Sequence, residues 1–346
     1  MTAYIEKTKP LFEKPKAEEE GEDPPEAPPV CFIQDLLADA RNFNLAGIGF
    51  GQQESYLLQK SLQQLAAKEQ ATFLRFFGKI RCTNSDYYVV EATADGPADA
   101  EEENAEGAEG EDKDPNMEEK GSGVNRYSYY VTNSPFDSWK RLPDLSPAHI
   151  EAARKIKMLF SGDLERDIIC NPFFFGKEKH LLRAQIARIA HSTILVPKGS
   201  YKLNEEDERQ VEEFVPEEDS KVEPLPSTVQ AANLGAWVHF NPSILNNCRT
   251  LHLDPPEEAP EGFEGEYDLE QAKKEIEAAD PFEPRLKPIT SDASIKMGGK
   301  MTQLPWVIRL EGDRQEYTTQ DNSGKIVCHG VVVIRSLTWP GSYTLY

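Results

Sequence analysis

The sequence predicts an α+β fold, in which mixed or antiparallel β-sheets with packed helices are interrupted by long acidic irregular insertions. Helical apolar spacings alternate along the chain with runs of aromatic and β-branched residues, so both element types are expected. Four segments hold 41 of the 60 acidic residues but only 8 of the 38 basic ones: Glu13–Glu26, Asp95–Lys120, Glu205–Glu223 and Asp254–Glu283. The remaining chain is mildly basic, which predicts a folded body with acidic insertions.

Composition shifts divide the 346 residues into eight segments. They are an acidic, proline-rich N-terminal tail at 1–29, helices plus a β-hairpin at 30–93, an acidic insertion at 94–123, a strand–helix–helix–strand body at 124–203, a second insertion at 204–230, a Trp-containing segment at 231–253, a third insertion at 254–284 and a β-rich C-terminal part at 285–346. We expect the insertions to be solvated loops; contact with a basic partner, or folding over the basic body, is the alternative. The last segment ends at Tyr346 within a strand pattern, so we expect either a short protein or a truncated one.

Apolar residues at helical spacing predict five helices. They lie at Val30–Ala40, Ser55–Lys68, from Ser146 to Gly162, at about Lys177–His191 and at Leu269–Ala279. Ser146 followed by Pro147 is typical of a helix start, and Gly162 of a helix end. The third helix is expected to bury one side, made of Ile150, Ala153, Ile156, Leu159 and Phe160.

The fourth helix is expected to bury Leu182, Ile186, Ile189 and Ala190. Arg183 and Arg188 fall elsewhere on its surface in this pattern. For these two arginines we expect intramolecular pairing or solvent exposure, with contact to a partner subunit as the alternative.

Strands are predicted where apolar residues alternate with polar ones or form a continuous run. Thr72–Ile80 and Tyr87–Ala92 read as a β-hairpin. The other predicted strands are Asn125–Thr132, Thr193–Val196, Trp306–Leu310, Glu316–Thr319, Lys325–Leu337 and Ser342–Tyr346. The segment Ala231–Phe240 contains Trp237 and is expected to pack on the body.

Several function classes are disfavoured by composition. A net charge of −22 argues against nucleic-acid binding, which needs a basic patch. No apolar run is long enough for a membrane-spanning helix, and the N-terminus lacks the apolar core of a secretory signal. Five cysteines, odd in number and never spaced as CxxC, indicate a reducing, intracellular compartment rather than a disulfide framework.

The sequence contains no convincing catalytic, cofactor-binding or metal-binding motif. Gly47, Gly49 and Gly51 follow a predicted helix and lack dinucleotide-fingerprint spacing, so an interhelical turn is expected. Cys248 and His252 have i, i+4 spacing, but a zinc site needs four converging ligands. The carboxylates cluster in the insertions instead of standing in apolar surroundings, where a raised pKa would suit acid catalysis.

Several stretches resemble the family of radial spoke head proteins four and six from motile cilia and flagella. The most specific is Leu182–Ile189, LRAQIARI, which is nearly identical to a family helix. Others include FFGKI at 76–80, NRYSYYV at 125–131, LPDLSP at 142–147, ARKIK at 153–157, FSGDL at 160–164, WVH at 237–239, LKPI at 286–289 and LTWPGSY at 337–343. These matches occur in family order from about residue 30 to 346. Phe77 stands where the family usually has Trp.

The resemblance implies a non-catalytic structural subunit of the radial spoke head, located in the cytoskeleton of the ciliary or flagellar axoneme. It also implies contact with central-pair projections and relay of mechanical signals that regulate dynein-driven beating. The implied partners are a paralogous spoke head subunit in a homo- or heterodimer, a subunit like radial spoke head protein nine, and other spoke head or neck proteins. A generic scaffold or adaptor outside the axoneme is the first alternative, and an enzyme with an unrecognised site is the second.

Overall fold

Helices and mostly antiparallel sheets make up the computed structural model, which confirms the predicted α+β class. It describes residues 31–69, 71–93, 116–204, 211–214, 225–240, 244–253, 255–256, 268–281, 284–297, 299, 301–315, 317–318, 326–327, 329–339 and 342–346. All of these belong to the unit Cys31–Tyr346. The predicted tail at 1–29 and most of the insertion at 94–123 lie outside the described residues. No helix in the described ranges is long and apolar enough to cross a bilayer.

The largest sheet contains five strands in sequential order. They are β1 (Phe32–Ile33), β2 (Phe73–Ile80), β3 (Tyr87–Thr93), β4 (Tyr127–Thr132) and β5 (Lys140–Arg141). Strand β1 is parallel to β2, and the other neighbours are antiparallel. The predicted hairpin is therefore confirmed. The central strand β3 is buried along nearly its whole length, since helices cover both faces of the sheet.

Two helices cover one face of this sheet. They are α1 (Leu36–Leu45) and α2 (Gln52–Glu69), whose Leu58, Leu62 and Leu65 pack against β2 and β3. The first helix was predicted about six residues too early, because the Asp35 carboxylate accepts hydrogen bonds from the first-turn N–H groups and sets the start at Leu36. The glycines at 47 and 49 have positive φ angles in the turn between the helices.

Helices α3 (Pro147–Arg154) and α4 (Glu178–Ser192) belong to the other side of the sheet. Ser146 caps α3 as predicted. The predicted continuation to Gly162 is wrong: the chain leaves the helix after Arg154, and Leu159 is exposed instead of buried. From residue 156 to 160 alternate side chains face the core, which is a strand-like periodicity rather than a helical one.

The C-terminal half is assembled from short strands and two further helices. In chain order these are β6 (Leu195–Pro197), β7 (Tyr201–Leu203), β8 (Val211–Glu213), α5 (Thr228–Ala231), β9 (Trp237–His239), α6 (Leu269–Ala279), β10 (Ile295–Met297), β11 (Met301–Gln303), β12 (Trp306–Gly312), β13 (Tyr317–Thr318), β14 (Ile326–Val327), β15 (Gly330–Ser336) and β16 (Tyr343–Leu345). Strand β6 pairs with β9, and β12–β15–β16 form a three-stranded sheet. Trp237, Ile289, Trp306 and Val332 share one apolar core between these sheets. Strand β8 and helix α6 lie within predicted insertions, and the helix has the predicted bounds.

Candidate functional site

Helix α4 carries the most specific sequence motif, and its apolar side meets the central sheet. Leu182 and Ile186 are fully buried against β3 and β4, as predicted. Ile189 is only partly buried, so that part of the prediction is wrong. The helix is instead buried on more sides than the sequence suggested, because Leu181, Ala184 and Ala187 pack into a second apolar cluster. Polar side chains of the helix are buried as well.

Arg183 is inside the protein, not on the helix surface. Its Nη2 donates to the carbonyl oxygen of Val124 at 2.7 Å and lies 3.4 Å from Asn125 Oδ1, and its guanidinium stacks 4.5 Å from the ring centre of Tyr129. Burial lowers the pKa of the Arg183 guanidinium, although nearby Tyr129 and Asp144 oppose the shift. Arg183 therefore connects α4 to the segment that enters β4.

Arg188 is also buried, and it joins three distant parts of the chain. Its Nη1 donates to the Ala153 carbonyl oxygen at the end of α3 at 2.9 Å. Its guanidinium lies 3.7 Å from the ring centre of Trp339 near the C-terminus. Burial lowers the pKa of Arg188 to about 10, and neighbouring Arg154 acts in the same direction. For both arginines, the expectation of intramolecular pairing is met within the described residues and that of solvent exposure is wrong.

Glu178, at the first position of α4, is a fully buried carboxylate that sequence reasoning missed. It accepts hydrogen bonds from the Tyr87 hydroxyl at 2.9 Å, from Ser161 N and Oγ at 2.8 Å each, and from Gly162 N at 2.9 Å. Arg166 Nη1 lies 3.6 Å away. Burial, followed by the hydrogen bond to Glu178, raises the pKa of Tyr87. Glu178 thus attaches the loop between α3 and α4 to the central strand.

A second set of hydrogen bonds fixes the same loop to the tip of the β2–β3 hairpin. Asn133 Nδ2 donates to Ser85 Oγ and to the Gly162 carbonyl oxygen, each at 3.1 Å. Thr83 N donates to the Phe160 carbonyl oxygen at 2.9 Å. These hydrogen bonds attach residues 160–162 of the loop to the hairpin tip, although the loop contains no helix or strand of its own.

The exposed side chains of this loop are both charged and apolar. Among the apolar ones, Ile169 is 91% exposed, Phe173 77% and Leu159 73%. Their chain neighbours Phe160, Ile168 and Phe174 pack into the core beneath.

Glu118 is a buried carboxylate at the C-terminal end of the first acidic insertion. It accepts hydrogen bonds from Val124 N at 2.6 Å, Thr250 N at 2.7 Å and Leu251 N at 2.8 Å. Gly123 approaches so closely that a Cβ atom there would overlap the Glu118 carboxylate and Thr250 Oγ1. The described end of this insertion, residues 116–123, is thus part of the packed body, which its composition did not indicate.

The residues weighed as metal ligands do not converge. Cys248 Sγ lies 3.8 Å from the Asn246 carbonyl oxygen, and His252 Nε2 lies 2.8 Å from that of Asp280. Within the ranges that the structure describes, no group of three or more His, Cys, Asp or Glu side chains could hold a metal ion. Cys328 lies outside the described residues.

A His–Asp pair connects β9 to the segment that precedes β10. His239 Nε2 lies 2.9 Å from Asp292 Oδ2, which also accepts a hydrogen bond from Trp306 Nε1 at 2.7 Å. Burial tends to raise the pKa of Asp292, but the hydrogen bonds from His239 and Trp306 outweigh it and lower that pKa. Because both Asp292 contacts come from residues of the C-terminal core, the pair serves to join its two sheets.

Comparison with known proteins identifies the family. The family model described as radial spokehead-like protein matches residues 1–346. The chain is 32% identical over 350 residues to radial spoke head protein 6 homolog A of Mus musculus, covering 90% of this chain and 47% of that protein. It is 30% identical over 339 residues to radial spoke head protein 4 homolog A of Homo sapiens, covering 90% and 45%. It is 31% identical over 339 residues to flagellar radial spoke protein 4 of Chlamydomonas reinhardtii, covering 93% and 66%.

The chain spans about half the length of the mammalian relatives it matches. The match nevertheless runs through the whole sequence and includes helix α4, which supplies the buried arginines and Glu178. The chain therefore belongs to the radial spokehead-like protein family.

Proposed function

We propose that this protein is a non-catalytic structural subunit of the radial spoke head in motile cilia and flagella. The observation that carries the proposal is the family match over the full chain, together with relatives named as radial spoke head and flagellar radial spoke proteins. The buried ionic and polar groups described above support it, because Arg183, Arg188, Glu178 and Glu118 contact other parts of the same chain.

The proposal extends to location, partners and mechanical role. The protein resides in the axoneme, where it pairs with a second copy or a paralogue and contacts a subunit like radial spoke head protein nine and other head or neck proteins. The assembled head contacts central-pair projections and passes mechanical signals that regulate dynein-driven beating. A scaffold whose loops are held by buried carboxylates suits that role, because load applied at the surface passes into the sheets.

Fractionation of axonemes tests the proposal. A tagged copy of the full chain, expressed in a ciliated cell that lacks the endogenous protein, is expected to remain with axonemes and to sediment with radial spokes after salt extraction. Recovery mainly outside the axoneme, or as a 39 kDa monomer free of spoke proteins, would contradict it. Expression in cells without cilia would favour the scaffold alternative.

A further inference from the structure

We propose that strand β12 (Trp306–Gly312) pairs edge to edge with β12 of a second copy of this chain, antiparallel and about a twofold axis at Leu310. The inference rests on the proposed function, which includes pairing with a second copy. It assigns to that pairing one surface and one register.

The direction of the free edge of β12 follows from its hydrogen bonds to β15. The Pro305 carbonyl oxygen accepts a hydrogen bond from Leu337 N at 2.7 Å, and Asp313 N donates to the His329 carbonyl oxygen at 3.3 Å. Because hydrogen-bonded pairs recur at every second residue of an antiparallel ladder, the odd-numbered residues of β12 are the ones bonded to β15. The even-numbered residues therefore direct their N–H and C=O groups away from β15.

These outward groups are uncovered within the described part of the chain. Strand β12 is an outer strand of its sheet, and no described hydrogen bond reaches the main chain of Trp306, Ile308 or Leu310 from the open side. The strand contains no proline or lysine, and its register with β15 runs without a bulge from Trp306 to Gly312. Natural proteins use those features to prevent edge pairing, so their absence favours a strand that is covered in the assembly.

The charges on β12 favour a second copy as the covering strand. Arg309 Nε lies 3.7 Å from Glu311 Oε1 in one chain, so both side chains project from the same face of the strand. When the Leu310 residues of two copies lie opposite each other, Arg309 of each copy faces Glu311 of the other. That pair is a non-hydrogen-bonded one, in which side chains on neighbouring strands come closest.

The same charges select one register. A twofold axis at Arg309 or at Glu311 would also satisfy the outward backbone groups, but it would place like charges opposite each other. A second copy supplies the complementary order of charges by symmetry, because a twofold contact uses the same patch on both subunits.

Apolar contacts and local charge agree with this arrangement. The side chains of Ile308 and Leu310 are only partly buried at the margin of the C-terminal core, and the same residues of a second copy would extend that core. Residues 285–346 carry eight basic and five acidic side chains, so the net charge of −22 resides in other parts of the chain. Repulsion between acidic segments that lie more than about 8 Å apart is largely screened at physiological salt.

Charge reversal in the purified full chain tests the contact. Light scattering over a range of concentrations should show the wild type approaching twice its monomer mass of 38.9 kDa. Arg309→Glu and Glu311→Arg should each raise the dissociation constant of the dimer by about tenfold, because each places like charges opposite each other in both symmetric pairs. Lys296→Glu is the matched control, since Lys296 is exposed on β10 and its reversal changes the net charge by the same amount as Arg309→Glu.

Mixing the two reversed chains separates a contact between copies from one within a chain. The Arg309→Glu chain carries only acids at positions 309 and 311, and the Glu311→Arg chain carries only bases there. Their equimolar mixture should therefore associate nearly as well as the wild type, although each chain alone does not. A mixture of Lys296→Glu with Glu311→Arg should not regain this affinity.

Hydrogen exchange supplies the register. Exchange at Leu310 N–H should slow as the concentration of the wild type rises, whereas exchange at Arg309 N–H, which faces β15, should not change. Thermal unfolding of both variants should resemble that of the wild type, because Arg309 is exposed and Glu311 is half-buried at the surface. A wild type that stays monomeric, a dimer insensitive to both reversals, or a mixture that associates no better than its components would overturn the proposal.

The two proposals fail in different ways. If the chain dimerises as described but is absent from isolated spokes, the proposed function is wrong. If it is recovered with spokes and the mixed variants do not associate, only the pairing of β12 is wrong.

Discussion

At the scale of single residues, Gly162 shows how closely the loop approaches the hairpin tip. Its φ is +97°, and a Cβ atom would overlap the carbonyl oxygen and Oγ of Ser85. Gly47 is a matched control, because its φ is +78° but no atom lies within 4 Å of the Cβ position.

We therefore expect Gly162→Ala to lower the free energy of unfolding by about 3 kcal/mol or more, from backbone strain and steric overlap together. Gly47→Ala should cost about 1–2 kcal/mol from strain alone. Urea unfolding of both variants measures the difference. Equal losses would mean that the hairpin tip moves away without cost.

The partly buried imidazole of His191 should make stability depend on pH. Burial lowers the pKa of His191 to about 4, with Arg183 adding to the shift and Glu118 opposing it. In the unfolded chain the pKa of His191 is about 6.5, so as the pH falls the unfolded chain takes up this proton before the folded chain does. The contribution of neutral His191 to the free energy of unfolding is therefore fully present above the unfolded pKa, and it declines as the pH falls towards 4.

Relative to the His191→Gln variant, we expect the wild type to lose about 2–3 kcal/mol of unfolding free energy between pH 7 and pH 4. The comparison between the two proteins cancels the titration of the many carboxylates. Urea unfolding at several pH values provides the measurement, and a pH-independent difference would show that His191 gains its proton as easily in the folded state as in the unfolded one.

At the scale of elements, α4 is the helix on which both the sheet and the loops depend. Ile186 is fully buried against the sheet, while Ile189, less than one turn later, is only partly buried. Ile186→Asp should cost about 4 kcal/mol or more, because it combines a cavity with a buried charge. Ile189→Asp should cost clearly less. Thermal melts of both variants test this; an Ile186→Asp protein that melts like wild type would place the helix outside the core.

At the scale of the whole molecule, we expect most of the first acidic insertion to be replaceable without loss of the fold. Replacing residues 95–115 with a short Gly/Ser linker should leave the melting temperature nearly unchanged, since their composition contributes little apolar surface. Extending the replacement to residue 120 removes the Glu118 carboxylate and leaves Val124, Thr250 and Leu251 N–H groups without it, so we expect a clear loss of stability.

Calorimetry of the two replacements, with Glu118→Gln as a point control, measures this boundary. If both replacements are equally stable, Glu118 is dispensable and the insertion extends to residue 120. If the shorter replacement already destabilises the protein, the predicted loop at 95–115 supports the fold. Motility of cells that carry the shorter replacement then tests whether the acidic loop modulates contact with a moving partner, as opposed to only keeping the protein soluble.

Elements with strong local signals were predictable from the sequence. The α2 and α4 helices follow from apolar spacing, the β2–β3 hairpin from two aromatic runs around a polar turn, and α6 from a capped amphipathic segment. The non-helical chain after Arg154 was not predictable in the same way. Its apolar residues fit a helix as well as an alternating strand, and only contact with the core beneath decides between them.

By itself, the sequence determined the fold class, the separation of acidic segments from a basic body, and the family, because these follow from local patterns and ordered motifs. The tertiary structure alone decided which charges are buried. Arg183, Arg188, Glu178 and Glu118 look like surface residues in any local window, since burial of a charge is tolerable only where distant backbone and ring groups surround it. The exposure of Ile169 and Phe173 was decided in the same way, because the core below had already been filled by their neighbours Ile168 and Phe174.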